Sequence, residues 1–111
     1  MKVRSLLPSL REKKRYVAFE VRAEGLQVRE EVREAIEANI KILHGELGAA
    51  RAGVLFLRDW KQNRGILKVN TGYVDEVKAS LALVQDIAGK KATVQSIGVS
   101  GMIRKIREVY F

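Results

Sequence analysis

The chain predicts an α+β domain built as a two-layer sandwich, a four-stranded antiparallel sheet with two helices on one face. Three observations carry that expectation. Short apolar segments of period two alternate with two longer segments of helical period. Residues that favour turns, chiefly Gly and Asn, fall between them. A length of 111 residues at 47% hydrophobic content suits one globular domain with one core.

Each element has its own signal. Tyr16 to Arg22 alternates, with Val17, Phe19 and Val21 on one face, and reads as a strand that Gly25 ends. From Val28 to Leu47 the apolar positions Val28, Val32, Ile36, Ile40, Leu43 and Leu47 form a helical stripe. Glu30, Glu31 and Glu34 in its opening turns suit the helix dipole, and Gly45 and Gly48 supply a stop. A second strand is expected over Ala52 to Asp59, centred on Val54-Leu55-Phe56-Leu57. Lys61 to Gly65 reads as a hairpin connection leading into a third strand, Ile66 to Asn70. Val74, Val77, Leu81, Val84 and Ile87 then mark a second amphipathic helix from about Val74 to Ala88, with Asp75 and Glu76 in its first turn and Gly89 after its end. Lys91 to Val99 is the fourth strand. Ser100 reads as the N-cap of a short helix, Met102 to Val109. The order strand–helix–strand–strand–helix–strand is the βαββαβ arrangement of ferredoxin-like and RRM-like folds. Its parts are a basic arm over residues 1–15, the domain over 16–99, and a C-terminal basic helix over 100–111 packed on the domain. The sheet face away from the two helices is expected to present Tyr16, Ala18 and Glu20 from the first strand and Ile66, Lys68 and Asn70 from the third. That face is too apolar to stand bare, so the final helix or a partner protein should cover part of it.

Charge points to a ligand class. The net charge is +8, and seven of those surplus charges lie in the two ends. Residues 1–15 hold Lys2, Arg4, Arg11, Lys13, Lys14 and Arg15 against Glu12, and residues 101–111 hold Arg104, Lys105 and Arg107 against Glu108. Charge concentrated in this way fits a polyanion, RNA or DNA, better than solubility alone.

Catalytic and metal chemistry find little support. The absence of cysteine excludes disulfides, thiolate catalysis and cysteine-ligated metals. The one histidine, His44, reads as a helix-terminal residue bonding a backbone carbonyl. Glu30, Glu31, Glu34 and Glu37 read as a solvated helix face. Ala88-Gly89-Lys90-Lys91 fails as a phosphate loop, since Val84 stands where its other glycine should be and no Ser or Thr follows the lysine. No catalytic residue, metal site or protein-bound cofactor is therefore expected. No apolar run has signal-peptide or membrane-spanning length, so the expected location is cytoplasmic.

The mode of nucleic-acid binding follows from what the strands carry. Arg64-Gly65-Ile66-Leu67-Lys68-Val69-Asn70 begins like the strand signature of RRM proteins but puts Ile66 and Lys68 where base-stacking aromatics belong. Tyr16 fits either a stacked base or plain packing, and Trp60 fits partner contact, RNA contact or packing. Backbone binding through lysine and arginine remains. Lys13, Lys14 and Arg15 lead directly into the first strand; Arg104, Lys105 and Arg107 follow Ser100-Gly101 at a helix start; Lys61 and Arg64 flank the hairpin. Phe56, Ile66 and Trp60 are the residues expected to meet a protein partner.

Several blocks of the chain, in order, resemble a known family. They are Leu7 to Glu20, His44 to Ala50, Gly65 to Val69, Val74 to Leu83 and Ser100 to Lys105. Together they resemble protein component 2 of archaeal ribonuclease P, a ferredoxin-like subunit whose eukaryotic relative also serves ribonuclease MRP. Met102 departs from the family's usual threonine. The resemblance implies a non-catalytic subunit that assists a catalytic, magnesium-bearing RNA in removing the 5′ leader of precursor tRNA. It implies ribonuclease P RNA and the enzyme's TIM-barrel protein subunit as partners, with precursor tRNA met indirectly, and it admits self-association within a heterotetramer. The competing readings are a free-standing RRM-like RNA binder and a ferredoxin-like protein scaffold.

Overall fold

The computed structural model describes residues 13–111. Of the expected basic arm, Lys2, Arg4 and Arg11 lie outside the described residues. Strand β1 (Lys14–Ala23) begins two residues earlier than its alternation indicates and takes Lys14 and Arg15 into the sheet. Helix α1 (Arg29–Ala52), strands β2 (Leu55–Lys61) and β3 (Arg64–Asn70), and helix α2 (Val74–Ala82) follow. A short strand β4 (Asp86–Ile87), the long strand β5 (Lys90–Ser100) and helix α3 (Ile103–Tyr110) complete the chain. The result is a mixed α/β structure with an antiparallel sheet in the order β2-β3-β1-β5-β4 and three helices among the described residues. No described helix is long and apolar enough to cross a membrane.

Three of the boundaries that differ from expectation have a clear local reason. Gly45 does not stop the first helix. It adopts φ 72° and ψ 172°, which kinks the rod, and helical bonding resumes through Ala49, Ala50 and Ala52, good helix formers. The stop is Gly53, left-handed at φ 61°, with its N–H on the Ala50 carbonyl. The segment assigned to the end of the second helix instead forms β4, which turns at Ala88-Gly89 (φ 51° and 80°) and pairs with Lys90 and Lys91. Val84 and Ile87 stay buried in that arrangement, so the apolar spacing alone did not distinguish helix from strand. The sheet accordingly has five strands rather than four. Ser100 ends β5, and the N-cap is Met102; the Ser100 hydroxyl accepts the Met102 N–H at 3.0 Å.

The β2–β3 hairpin has a two-residue turn, Gln62-Asn63, with both φ values positive, the geometry whose twist matches antiparallel strands. Asn63 also ties the β1–α1 loop to the hairpin. Its side-chain oxygen accepts the Gln27 N–H at 2.7 Å and its amide donates to the Gly25 carbonyl at 3.0 Å. The outer edge of β2 does not stand open along its length. The Arg29 guanidinium donates to the Leu57 carbonyl at 2.7 and 3.1 Å, occupying an acceptor another strand would need.

Both sheet faces are buried. On one, Val17, Phe19, Val21, Leu67 and Val69 meet Val32, Ile36 and Ile40 of α1 and Val77 and Leu81 of α2. On the other, Ala18 and Ile66 lie under Ile106 of α3, with Tyr16, Leu57, Ile97, Ile103, Tyr110 and Phe111 around them. The expected two-layer sandwich is thus three layers deep where α3 lies. Docking depends on a bulge. Ala18 pairs with Gly98 and Phe19 with Ser96, leaving Ile97 extra. Tyr110 fills the space over Gly98, where a Cβ would come within 2.6 Å of its ring carbons, and donates to the Ile97 carbonyl at 2.7 Å.

Ile106→Ala should therefore cost about 2 to 5 kcal/mol in urea unfolding, the range for emptying a buried branched side chain. Tyr110→Phe, which deletes only the bond to the bulge carbonyl, should cost about 1 kcal/mol. Unchanged midpoints in both variants would mean that α3 contributes nothing to the folded state.

Candidate nucleic-acid interface

The sheet gathers cations at the end where β1 starts. Lys13, just before β1, is exposed, and its carbonyl accepts the Thr71 N–H at 2.8 Å, which fixes it to the end of β3. Lys14 stands opposite Asn70 and donates to its side-chain oxygen. The Asn70 amide in turn donates to the Arg51 carbonyl at 2.8 Å, so one asparagine links β1, β3 and the end of α1. Arg15 reaches Gly101. A Cβ there would sit 2.7 Å from the guanidinium, so glycine leaves room for this contact. Its charge lies beside the start of α3, which has no side-chain cap, and α3 carries exposed Arg104 and Lys105 in its first turn. Chain segments some ninety residues apart in sequence thus meet at one positively charged corner. Free helix N–H groups and clustered cations are the chemistry that receives phosphate.

The other expected cations are placed differently. Arg107 forms a forked pair with Asp59 at 2.9 and 3.1 Å, and Arg64 pairs with Glu20 at 3.1 Å. Both are engaged by carboxylates of their own chain. Lys61 donates to the Phe111 carbonyl at 3.3 Å and faces Arg64 across the hairpin, at the opposite end of β2 from the corner. The expected set therefore divides. Lys13, Lys14, Arg15, Arg104 and Lys105 come together, while Lys61 and Arg64 do not join them. Two cations join the corner that sequence reading left out of the site: exposed Arg51 at the end of α1, and half-buried Lys68, opposite Tyr16. Alternation along β3 already put Lys68 on the Tyr16 face. Nothing in the sequence places Arg51 near Lys14.

The three apolar residues expected to meet a partner are otherwise occupied. Ile66 has no exposed surface because α3 covers it. Phe56 and Trp60 belong to the face under α1 and α2, packed on Phe19 with ring centroids 5.8 and 6.2 Å away. Large apolar groups do remain exposed elsewhere: Ile42, Leu43 and Leu47 around the α1 kink and Leu83 just after α2. His44 also departs from expectation. Its Nε2 lies 3.0 Å from the buried Ser80 hydroxyl, which itself donates to the Glu76 carbonyl, so the histidine links α1 to α2 instead of capping a helix end.

Comparison with known proteins gives a consistent result. Residues 15–111 match the sequence profile of the Rpp14/Pop5 family. The chain is 37% identical to "Ribonuclease P protein component 2" of Pyrococcus abyssi over 99% of its own length and 94% of the relative's. It is 40% identical to the protein of the same name from Thermococcus gammatolerans, over 98% and 92%. In three dimensions it is similar to a chain in "Cryo-EM structure of yeast Ribonuclease MRP", with a TM-score of 0.66 and 13% identity over 88% of this chain and 91% of that one. At that identity the likeness is one of fold.

The Asp59–Arg107 pair ties α3 to β2 and makes α3 docking sensitive to acid. The guanidinium hydrogen bond holds the Asp59 carboxyl below its ordinary value, and Asp59 raises Arg107 in return. A lowered folded value means this stabilisation is complete above the unfolded carboxylate value, about pH 4, and is lost as pH falls through the folded one. Wild type should therefore be more stable than Asp59→Asn at neutral pH, the gap closing on acidification. Parallel acid profiles would show that the pair contributes nothing to the fold.

Proposed function

The chain belongs to the Rpp14/Pop5 family, and from that premise we propose that it is a non-catalytic protein subunit of ribonuclease P. In this reading the catalytic RNA, with its magnesium, cuts the 5′ leader from precursor tRNA, and the protein stabilises that RNA by neutralising phosphates. The observation that carries the reading is the corner itself: a member of this family gathers Lys13, Lys14, Arg15, Arg104 and Lys105 from its two ends at one edge of the sheet. Phosphate contacts of this kind position an RNA without reading its sequence. The arrangement disfavours the free-standing RRM-like binder, because the sheet face on which such proteins stack several bases lies largely under α3.

Two finer readings go with it. The four long strands run β2-β3-β1-β5, with β3 antiparallel to both β1 and β2, which supports the ferredoxin-like topology expected from the element order. Short β4 and the covering α3 are additions to it. The TIM-barrel subunit of the same enzyme is the proposed protein partner. Exposed Ile42, Leu43, Leu47 and Leu83 replace Phe56, Ile66 and Trp60 as the apolar groups available to it.

Sequencing the RNA recovered with tagged protein should return ribonuclease P RNA; its absence overturns the assignment. Purified protein free of RNA should leave precursor tRNA uncut in magnesium. Replacing Lys13, Lys14 and Arg15 together with alanine should shallow the salt dependence of RNA binding by roughly 2 to 3 log units per log unit, given about 0.7 to 0.9 counterions released per phosphate. A folded triple variant with unaltered slope would remove these residues from the interface.

A further inference from the structure

Helix α3 leaves one row of its sheet face beyond its own start. Ladder pairing puts Tyr16 between Ser100 on β5 and Lys68 on β3, and Lys68 between Tyr16 and Leu55 on β2. The next row, Gly98, Ala18 and Ile66, lies beneath Ile106 and Tyr110. Tyr16 is half-buried, its ring braced against that covered cluster, and Leu55 beyond Lys68 is 54% exposed. Lys14 points from the same face of β1, two residues earlier, and side chains at that spacing stand about 7 Å apart. Neither Lys14 nor Lys68 has a carboxylate partner among the described residues. The two buried-side tyrosines also differ. Tyr110 spends its hydroxyl on the Ile97 carbonyl, whereas the Tyr16 hydroxyl has no hydrogen-bond partner among the described residues.

We propose that Tyr16, Lys14 and Lys68 form a site for a single unpaired RNA nucleotide, the base stacked on Tyr16 and its flanking phosphates held by the two lysines. The site rests on the RNA-binding reading above and adds to it a place where a base, not only the backbone, is held. An aromatic ring accepts any base by its π face, and lysines on either side supply the charge that the attached phosphates require. A paired base in an A-form helix keeps its faces stacked on its neighbours, so the occupant must be unpaired. It is one nucleotide because α3 covers the row that would carry a second. By sequence alone Tyr16 fits a stacked base, though a tyrosine at a strand start more often packs against its neighbours. The register sets it beside Lys68, with Lys14 two residues back on the same strand, at the edge of the covered surface.

The test uses the full chain with a short single-stranded RNA and a duplex of the same length. Tyr16→Leu should weaken single-strand binding about 5- to 150-fold, the value of one stacked base, with the salt slope unchanged because stacking releases no counterions. Duplex binding should stay as in wild type. Tyr16→Phe should bind single strands within about twofold of wild type, since the ring does the stacking. Lys68→Ala should shallow the single-strand slope by about 0.7. If Tyr16→Leu unfolds, ultraviolet crosslinking of wild type followed by mass spectrometry replaces it, and a nucleotide attached to Tyr16 is the expected product. Equal single-strand affinity of wild type and Tyr16→Leu, equal losses on both RNAs, or no crosslink at Tyr16 would overturn the site while leaving phosphate binding at the corner intact. Failure of wild type to bind either RNA would overturn the RNA reading and the site together.

Discussion

Strand β1 runs through the middle of the sheet with Val17, Ala18 and Phe19 all excluded from solvent, so it must be covered on both faces. A strand apolar on one side only is satisfied by a two-layer sandwich; one apolar on both sides needs a third layer. The chain supplies α1 and α2 against Val17 and Phe19, and α3 against Ala18. Each burial depends on close approach. Gly65 lets the Phe19 ring lie flat on β3, where a Cβ would come within 2.6 Å of it, and Gly98 does the same for Tyr110 on β5. Without those two glycines, neither layer could approach the central strand at this distance.

The same requirement positions the charge. Because α3 must reach back over Ala18 and Ile66, its first turn starts where β5 ends, beside the start of β1. Lys13, Lys14 and Arg15 therefore meet Arg104 and Lys105 as a consequence of core burial. No ion pair is needed to recruit them, and like charges gathered in this way raise the local potential. An anionic ligand at the corner would relieve that repulsion. Arg107, one turn along, is neutralised by Asp59, which anchors α3 and keeps the excess charge at the helix start.

The helix-side face carries a different kind of surface. Around the kink at Gly45, Ile42, Leu43 and Leu47 turn outward, because a helix that bends mid-way no longer keeps one stripe against the sheet. His44 and Asn39 hold the two helices together there through Ser80, with Asn39 donating to its carbonyl at 2.6 Å and His44 meeting its hydroxyl. The polar links are half-buried and satisfied, and the apolar groups are left outside. A subunit that meets RNA at one corner and protein on another face would have these two chemistries separated in just this way.

Local pattern was enough to determine much of this protein. Alternation in Tyr16 to Arg22 and Ile66 to Asn70 and the helical stripe from Val32 to Ile40 are properties of neighbouring residues, and the structure keeps them; the charge in the two ends is legible in the same way. So was the family, through blocks of sequence spread along the chain. Tertiary structure decided what neighbours cannot encode. Val84 and Ile87 are equally apolar in a helix or a strand, and only the Ala88-Gly89 turn onto Lys90 put Ile87 in β4 and Val84 in the loop before it. Ile66 looked exposed by alternation until α3 folded over it. Phe56 and Trp60 changed role because their shared side of β2 packs on the Phe19 ring under the helices, a pairing across strands that local pattern does not show. Arg51, Lys14 and Lys68 share a corner although no local signal connects them. In each case the deciding contact joins residues far apart in sequence, and such contacts depend on how whole layers pack.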